Sequence, residues 1–252
     1  HVPEEIKSRI KQIGEDKDVV LIEVGGTIGD YENIPFLFAA KSLEAEVGTE
    51  NICHIMITYL PVPSHIDEMK TKPTQLAIKL LRENGISPDF IFCRGKLPLD
   101  EPRKRKIERY ANIKSDRVIS APDVIGKGTA NTIYVVPLNL EKDSFGEKLL
   151  SRLRLSKRKE PNWDSWAEMV RRTTNPDGEI NIALVGKYLD IGDFQLTDSY
   201  LSVSAALSHA GAALNKRVNV HWINSKDIES WNVDLSSYDG IIVPGGFGSS
   251  GV

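Results

Sequence analysis

Short apolar runs alternate with helical patterns along the first half of the chain. Each run is as long as a strand and lacks the polar alternation of a half-exposed sheet, so we expect it to be buried on both faces. The runs are residues 18–24, 51–62, 89–94 and 117–124, and apolar residues at helical spacing separate them at 35–47, 75–84 and 101–113. This order predicts the α/β class, with parallel sheets and helices on both faces.

The pattern changes near Arg152, where a basic cluster is followed by Pro161 and two tryptophans. We therefore predict a first domain at 1–155, an interdomain linker at 156–178 and a second domain at 179–252. The second domain has predicted strands at 181–188, 218–224 and 238–243 and a predicted helix at 199–213. Because nothing evident covers its last strand, we expect the chain to stop within a domain and to be a fragment.

Composition restricts the possible partners. Lys and Arg total 32 against 35 for Asp and Glu, and the net charge of -3 provides no global field for a nucleic-acid backbone. No apolar run approaches the roughly 18–20 residues of a transmembrane helix, so we expect a cytoplasmic protein without membrane or nucleic-acid partners. Cys53 and Cys93 each lie in an apolar run, which indicates buried thiols rather than a disulfide or metal pair.

Glu23 lies near the carboxyl end of the first predicted strand, before a loop with Gly25, Gly26 and Gly29. A carboxylate on a doubly buried strand is costly unless a cation or hydrogen bonds satisfy it. The ligand crevice of an open parallel sheet lies at these strand ends, so Glu23 suits Mg²⁺ and the loop suits nucleotide phosphates. A plain strand-to-helix loop, with Glu23 paired to a lysine, is the alternative.

Two further segments carry candidate chemistry. Lys70–Gln75 places two ammonium groups, two hydroxyls and an amide where a helix begins. Two positive charges at a helix N-terminus are unfavourable for the helix itself, and they favour an anionic ligand such as a triphosphate. A solvated first turn is the alternative, and a solvated helix face is the expectation for the basic run 103–106. The turn at Pro244–Gly248 can offer backbone N–H groups to an oxyanion or can be a tight turn only.

Six motifs in this order give the chain a resemblance to the CTP synthase family over essentially its whole length. They are Ile22–Glu32, Lys70–Gln75, Cys93-Arg94 with Lys106, Val118–Ser120 with Asp123-Val124, Val185–Tyr188 and Val243–Gly248. The resemblance implies a P-loop-type amidoligase domain joined to the start of a class I glutamine amidotransferase domain. It implies conversion of UTP, ATP and glutamine to CTP, ADP, phosphate and glutamate, with ammonia as an alternative donor.

The resemblance also implies roles for individual residues. Glu23 is the implied magnesium ligand, and the implied contacts of the feedback inhibitor CTP are Asp30, Tyr31 and Glu32. The implied contacts of UTP or CTP are Lys70, Thr71, Lys72, Pro73, Thr74, Gln75 and Lys106, and those of ATP are Pro122, Asp123 and Val124. Gly245 and Gly246 resemble the oxyanion turn, with Gly246 also contacting glutamine. The implied cofactors are Mg²⁺, ATP as co-substrate and GTP as allosteric activator, and the implied assembly is a homotetramer.

Both catalytic centres are expected to be incomplete. The sequence contains no G-x-x-x-x-G-K-[ST] motif, and the resemblance places the P-loop before His1 and the Cys, His and Glu of the amidotransferase after Val252. We therefore predict no turnover by this chain alone. Two alternatives stay open: a non-catalytic module for pyrimidine-nucleotide binding or assembly, and a related amidoligase acting on a carboxylate, against which Lys70–Gln75 weighs.

Overall fold

Two structural units make up the chain. The computed structural model describes residues 1–66, 68–126, 129–187, 190–191, 194–195, 200–230 and 233–245. Unit 1 consists of residues 1–129 and 136–160, and unit 2 consists of residues 130–135 and 161–252. Among the helices within the described ranges, none combines the length and the apolar character needed to cross a membrane.

Unit 1 is built on a parallel sheet in the order β1-β2-β3. Its strands are β1 Ile55–Tyr59, β2 Phe90–Gly95 and β3 Val118–Pro122. Its helices are α1 Val2–Gly14, α2 Ile34–Val47, α3 Lys72–Glu83, α4 Glu101–Ala111, α5 Val136–Lys142 and α6 Phe145–Arg152. Thr58, Cys93 and Ser120 are neighbours in the register. The predicted α/β class with parallel strands is confirmed.

One face of this sheet packs against α3 and α4, which contribute apolar residues at three- and four-residue spacing. The buried side chains that meet there are Met56, Ile78, Leu81, Ile91, Cys93, Ile107, Ala111 and Val118. Full burial of one large aliphatic side chain stabilises a fold by about 1.5–3 kcal/mol. The layer is therefore the principal hydrophobic core of unit 1.

The other face is covered unevenly. Phe145 of α6 makes edge-to-face contacts with Phe90 and Phe92 of β2, at centroid distances of 5.3 Å and 4.9 Å. On β1 the same face carries three side chains that are 42% to 67% exposed, Ile55, Ile57 and Tyr59. Helices thus lie on both faces at β2, whereas β1 is open on one.

Helix ends follow the signals in the sequence. Asp100 Oδ1 accepts the N–H of Arg103 at 2.9 Å, which caps the start of α4. Pro73 lies in the first turn of α3, where a missing N–H does no harm. After α3, Gly85 has φ +77°, a left-handed conformation that favours glycine.

The prediction of a buried strand at residues 18–24 is wrong. The segment has no strand pairing, and Leu21 and Ile22 are 90% and 54% exposed. A strand needs a neighbour that completes its ladder of hydrogen bonds, and no described strand of unit 1 provides one. Glu23 is therefore exposed and does not lie on a doubly buried strand.

Unit 2 has its own parallel sheet, in the order β7-β4-β8. Its strands are β4 Glu179–Gly186, β5 Asp190–Ile191, β6 Phe194–Gln195, β7 Arg217–Asn224 and β8 Gly240–Ile242, where β5 and β6 form a separate antiparallel pair. Its helices are α7 Asp164–Thr174, α8 Leu201–Ala213 and α9 Ser225–Glu229. Helix α7 lies in the segment predicted as a linker and packs against α8.

Both cysteines are free. Cys93 is 2% exposed, and burial raises the pKa of its thiol to about 12. Cys53 is half-buried, and burial together with the charge of Asp89 raises the pKa of its thiol to about 11. Neither has the low pKa of a reactive thiol, which agrees with the predicted structural role.

Candidate functional site

The candidate site lies at the carboxyl edge of the unit 1 sheet. Backbone hydrogen bonds join the segments that leave neighbouring strands. Leu60 N–H donates to Arg94 O at 2.7 Å, and Asp123 N–H donates to Gly95 O at 2.8 Å. Parallel sheets bind ligands at this edge, so the segments after β1, β2 and β3 are held together where a ligand is expected.

Gly95 makes the close approach of these segments possible. A Cβ at this position would lie 3.2 Å from the carbonyl oxygen of Leu60 and 3.6 Å from that of Leu97. Any larger residue would push the exits of β1 and β2 apart.

Arg94 and Asp123 form an ion pair at this edge. Arg94 Nη2 lies 2.8 Å from Asp123 Oδ1, and the two side chains are 58% and 25% exposed. The pair joins the end of β2 to the segment after β3. A planar guanidinium stacks on aromatic rings, and a carboxylate accepts hydrogen bonds from amino groups, so the pair can recognise a purine base.

The predicted pyrimidine segment divides into an inner and an outer set. Thr58 Oγ1 donates to Thr74 Oγ1 at 3.0 Å, and Gln75 Nε2 donates to Thr71 Oγ1 at 3.2 Å. Thr71, Thr74 and Gln75 are at most 7% exposed; Thr74 joins the start of α3 to β1, and the Gln75–Thr71 bond holds that first turn together. The outer set, which reaches solvent, consists of Lys70, Lys72 and Pro73.

Arg103 anchors the outer set, and sequence reasoning missed it. Its Nε donates to Met69 O at 2.8 Å and its Nη2 to Glu68 Oε1 at 2.9 Å. Lys70 Nζ donates to Glu68 at 2.8 Å, and Lys70 and Arg103 lower the pKa of the Glu68 carboxyl. The signal was present in the basic run 103–106, but the pattern does not distinguish an anchoring arginine from a solvated one.

Lys106 lies on the exposed side of α4. It lines an open hollow of about 580 Å³ with Glu101, Pro102, Arg105 and Arg109. No described contact joins it to Lys70–Gln75. Three basic side chains and one acidic side chain give this hollow a positive balance, which suits an anionic ligand.

The loop after Glu23 is held by its own hydrogen bonds. Thr27 N–H donates to Asp30 Oδ2 at 2.7 Å, and Asn33 Nδ2, which sequence reasoning also missed, donates to Gly25 O at 2.7 Å. Gly26 has φ +75°, and a Cβ there would lie 2.8 Å from the Asn33 amide. The loop therefore needs a glycine and presents its acidic and aromatic side chains to solvent, namely Glu23, Tyr31 and Glu32.

In unit 2, Gly245 follows β8, and apart from its chain neighbours no described residue has an atom within 4 Å of the place that a Cβ would occupy. The second residue of the predicted oxyanion turn, Gly246, lies outside the described residues.

Two family profiles match the chain. One is described as CTP synthase N-terminus and matches residues 1–155. The chain belongs to the CTP synthase family. The other, glutamine amidotransferase class-I, matches residues 195–252. The resemblance drawn from the motifs is therefore confirmed, with the amidoligase domain first and the start of the amidotransferase domain second.

Curated relatives with the name CTP synthase cover the whole chain. Those of Thermococcus gammatolerans, Methanopyrus kandleri and a Synechococcus strain are 45%, 44% and 42% identical to it. The chain in turn spans 45% to 46% of the length of these CTP synthases.

Proposed function

We propose that the chain serves the ATP-dependent amination of UTP to CTP, the last step of de novo CTP synthesis, with glutamine or ammonia as nitrogen donor. The observation that carries this proposal is the order of two family profiles on one chain, CTP synthase N-terminus and then glutamine amidotransferase class-I. An amidotransferase releases ammonia and an amidoligase consumes it, so the pair matches the two halves of one reaction.

The pyrimidine nucleotide is proposed to bind at the outer set and along α4. Lys70, Lys72 and Lys106 are exposed or half-exposed ammonium groups that can neutralise a triphosphate. The Lys72 ammonium has no carboxylate partner among the described residues, so it is available to a ligand. Thr71, Thr74 and Gln75 would act by holding the first turn of α3 in place.

ATP is proposed to bind after β3, at Pro122, Asp123 and Val124. Support comes from the Arg94–Asp123 pair, which offers a flat cation and an acceptor to an adenine base.

The exposed Asp30, Tyr31 and Glu32 are proposed to contact CTP as feedback inhibitor.

Mg²⁺ is proposed to be held at Glu23. Among the residues that the structure describes, no three His, Cys, Asp or Glu side chains are grouped to hold an ion by themselves. A single exposed carboxylate still fits Mg²⁺, because this ion usually takes one or two carboxylates together with substrate phosphates and water. When bound, the ion would neutralise phosphate charge during transfer.

The remaining proposals concern regulation and assembly. We propose Gly245 and Gly246 as the oxyanion turn, with Gly246 also contacting glutamine, and GTP as an allosteric activator. We also propose that the protein forms a homotetramer in the cytoplasm, as the family resemblance implies.

The test is CTP formation by the product of the complete reading frame that contains these codons. With UTP, ATP, Mg²⁺ and glutamine, we expect CTP and glutamate in equal amounts by chromatography, and no CTP when ATP is omitted. We expect no turnover from the 252-residue chain alone. Nucleotide binding without CTP formation by the complete product would refute the enzyme proposal and favour a non-catalytic binding module.

Lys72→Met tests the proposed triphosphate contact in the complete product. Loss of a hydrogen bond to a charged group predicts a rise in the KM for UTP of about 10- to 100-fold. Lys79→Met on the same helix is the matched control, because Lys79 is exposed and its one ion pair among the described residues is with Glu83 at 3.6 Å. Equal KM values for the two variants would contradict the assignment.

A further inference from the structure

A short strap of the chain, Ala130–Val135, is folded into unit 2 although the residues on either side of it, Thr129 and Val136, belong to unit 1. The profile for CTP synthase N-terminus nevertheless includes the strap. The strap is therefore amidoligase sequence that packs within unit 2, the unit that contains the amidotransferase match at 195–252. Along the chain it follows the proposed ATP segment, Pro122–Val124.

Tyr134 is the anchor of the strap, and three parts of this residue make directional contacts. Its carbonyl oxygen accepts a hydrogen bond from Trp166 Nε1 of α7 at 2.7 Å. Its ring lies edge-to-face on Trp166, with centroids 5.9 Å apart, and tilted on His209 of α8 at 5.3 Å. Its hydroxyl is hydrogen-bonded to His209 Nε2 at 2.5 Å.

The strap is fixed at Tyr134 rather than buried along its length. Thr132 is 5% exposed and its Oγ1 accepts the N–H of Tyr134 at 3.3 Å, whereas Ile133 is 62% exposed. Tyr134 and Trp166 are half-buried and His209 is exposed. Helices α7 and α8 also pack on each other without the strap, so the cluster holds the strap and is not the core of unit 2.

We propose that Tyr134 is a positioning residue that couples the amidotransferase unit to the ATP-binding segment of the amidoligase. This inference rests on the proposed function. Nitrogen released by the amidotransferase must be used by the amidoligase. The strap follows the ATP segment along the chain and is anchored on α7 and α8, so this anchoring affects glutamine as donor. Ammonia added from solution does not depend on that anchoring.

The test compares the two nitrogen donors in the complete reading-frame product. Tyr134→Phe removes only the hydroxyl that bonds His209, and Trp166→Phe removes only the donor to the Tyr134 carbonyl and part of the ring contact. For each variant we expect glutamine-dependent CTP formation to fall about 3- to 10-fold, as for loss of one hydrogen bond, with ammonia-dependent formation within about twofold of wild type. Tyr59→Phe is the matched control, because Tyr59 is 50% exposed on β1 and outside unit 2.

Release of glutamate, measured in the same reactions, separates coupling from folding. Retained glutamate release with reduced glutamine-dependent CTP supports the inference. An equal loss with both donors, no loss with either, or a parallel fall in glutamate release would overturn it, since each means that Tyr134 acts only on folding or not at all. A wild-type product that forms no CTP from either donor refutes the proposed function, and the inference with it.

Discussion

Replacing Arg152 by methionine should destabilise unit 1 substantially. Arg152 Nε donates to Asp89 Oδ1 at 2.5 Å, and its Nη2 donates to the carbonyl oxygens of Thr49 and Ile52 at 2.8 Å and 2.9 Å. The Arg152 and Asp89 side chains are only 17% and 14% exposed. Removing one partner of a fully buried pair lowers the free energy of unfolding by about 3–5 kcal/mol. This pair is partly exposed and Arg117 still contacts Asp89 after the substitution, so we expect a loss of about 2–4 kcal/mol.

Arg158→Met is the matched control, because it removes the same group from a surface pair. Arg158 and Asp18 are 82% and 74% exposed, so we expect a loss of at most about 1 kcal/mol. The assay is urea unfolding followed by far-UV circular dichroism and by tryptophan fluorescence. All tryptophans lie at positions 163, 166, 222 and 231, within unit 2, so fluorescence reports on that unit alone.

The expected result for Arg152→Met is a dichroism transition at lower urea, with the fluorescence transition unchanged. Equal midpoints for the two variants would refute the reasoning, because burial of the pair would then have no energetic consequence. A shift confined to fluorescence would refute it as well.

Two further predictions concern titratable groups. Lys11 and Lys7 lower the pKa of the Glu46 carboxyl from 4.5 to about 2, so the contribution of these pairs is complete above pH 4.5 and is lost as pH falls through about 2. Lys11→Met should move the Glu46 midpoint upward in a ¹³C titration, and an unchanged midpoint would contradict the assignment. Because burial raises the thiol pKa of Cys93 to about 12, we expect it to resist alkylation in the native protein at about pH 8. Cys53 should react first, and mass spectrometry of timed samples that shows the reverse order would contradict this.

The sequence predicted the sheet strands well where burial and pairing coincide. The run at 89–94 is apolar because helices cover both faces of β2, and β1 and β3 complete its hydrogen bonds, so the pattern indicated a strand correctly. Residues 18–24 have the same composition without a described partner. An apolar run shows that side chains are unfavourable in water, but it does not identify the neighbour that completes a hydrogen-bond ladder.

The predicted site shows a related limit. In Lys70–Gln75 the sequence groups five polar residues and a proline, yet the position of each at the start of α3 decides whether it meets solvent or the core. Thr74 and Gln75 lie on the turn that faces β1, whereas Lys72 points outward. Arg103 bonds to Glu68, which is distant in sequence, and Asn33 bonds to the backbone of the loop at Gly25. The spacing of residues along the chain does not reveal either contact.

Strand β1 offers a place where one copy of the chain can associate with another. It is an edge strand of the described sheet, and its open face carries Ile55, Ile57 and Tyr59. An exposed, apolar sheet edge is a template on which a further extended chain can add. Residues 18–24 of another molecule could take that place, since they are mostly apolar, largely exposed and without a strand partner among the described residues. We therefore expect the 252-residue chain, purified alone, to self-associate through β-strand addition as its concentration rises.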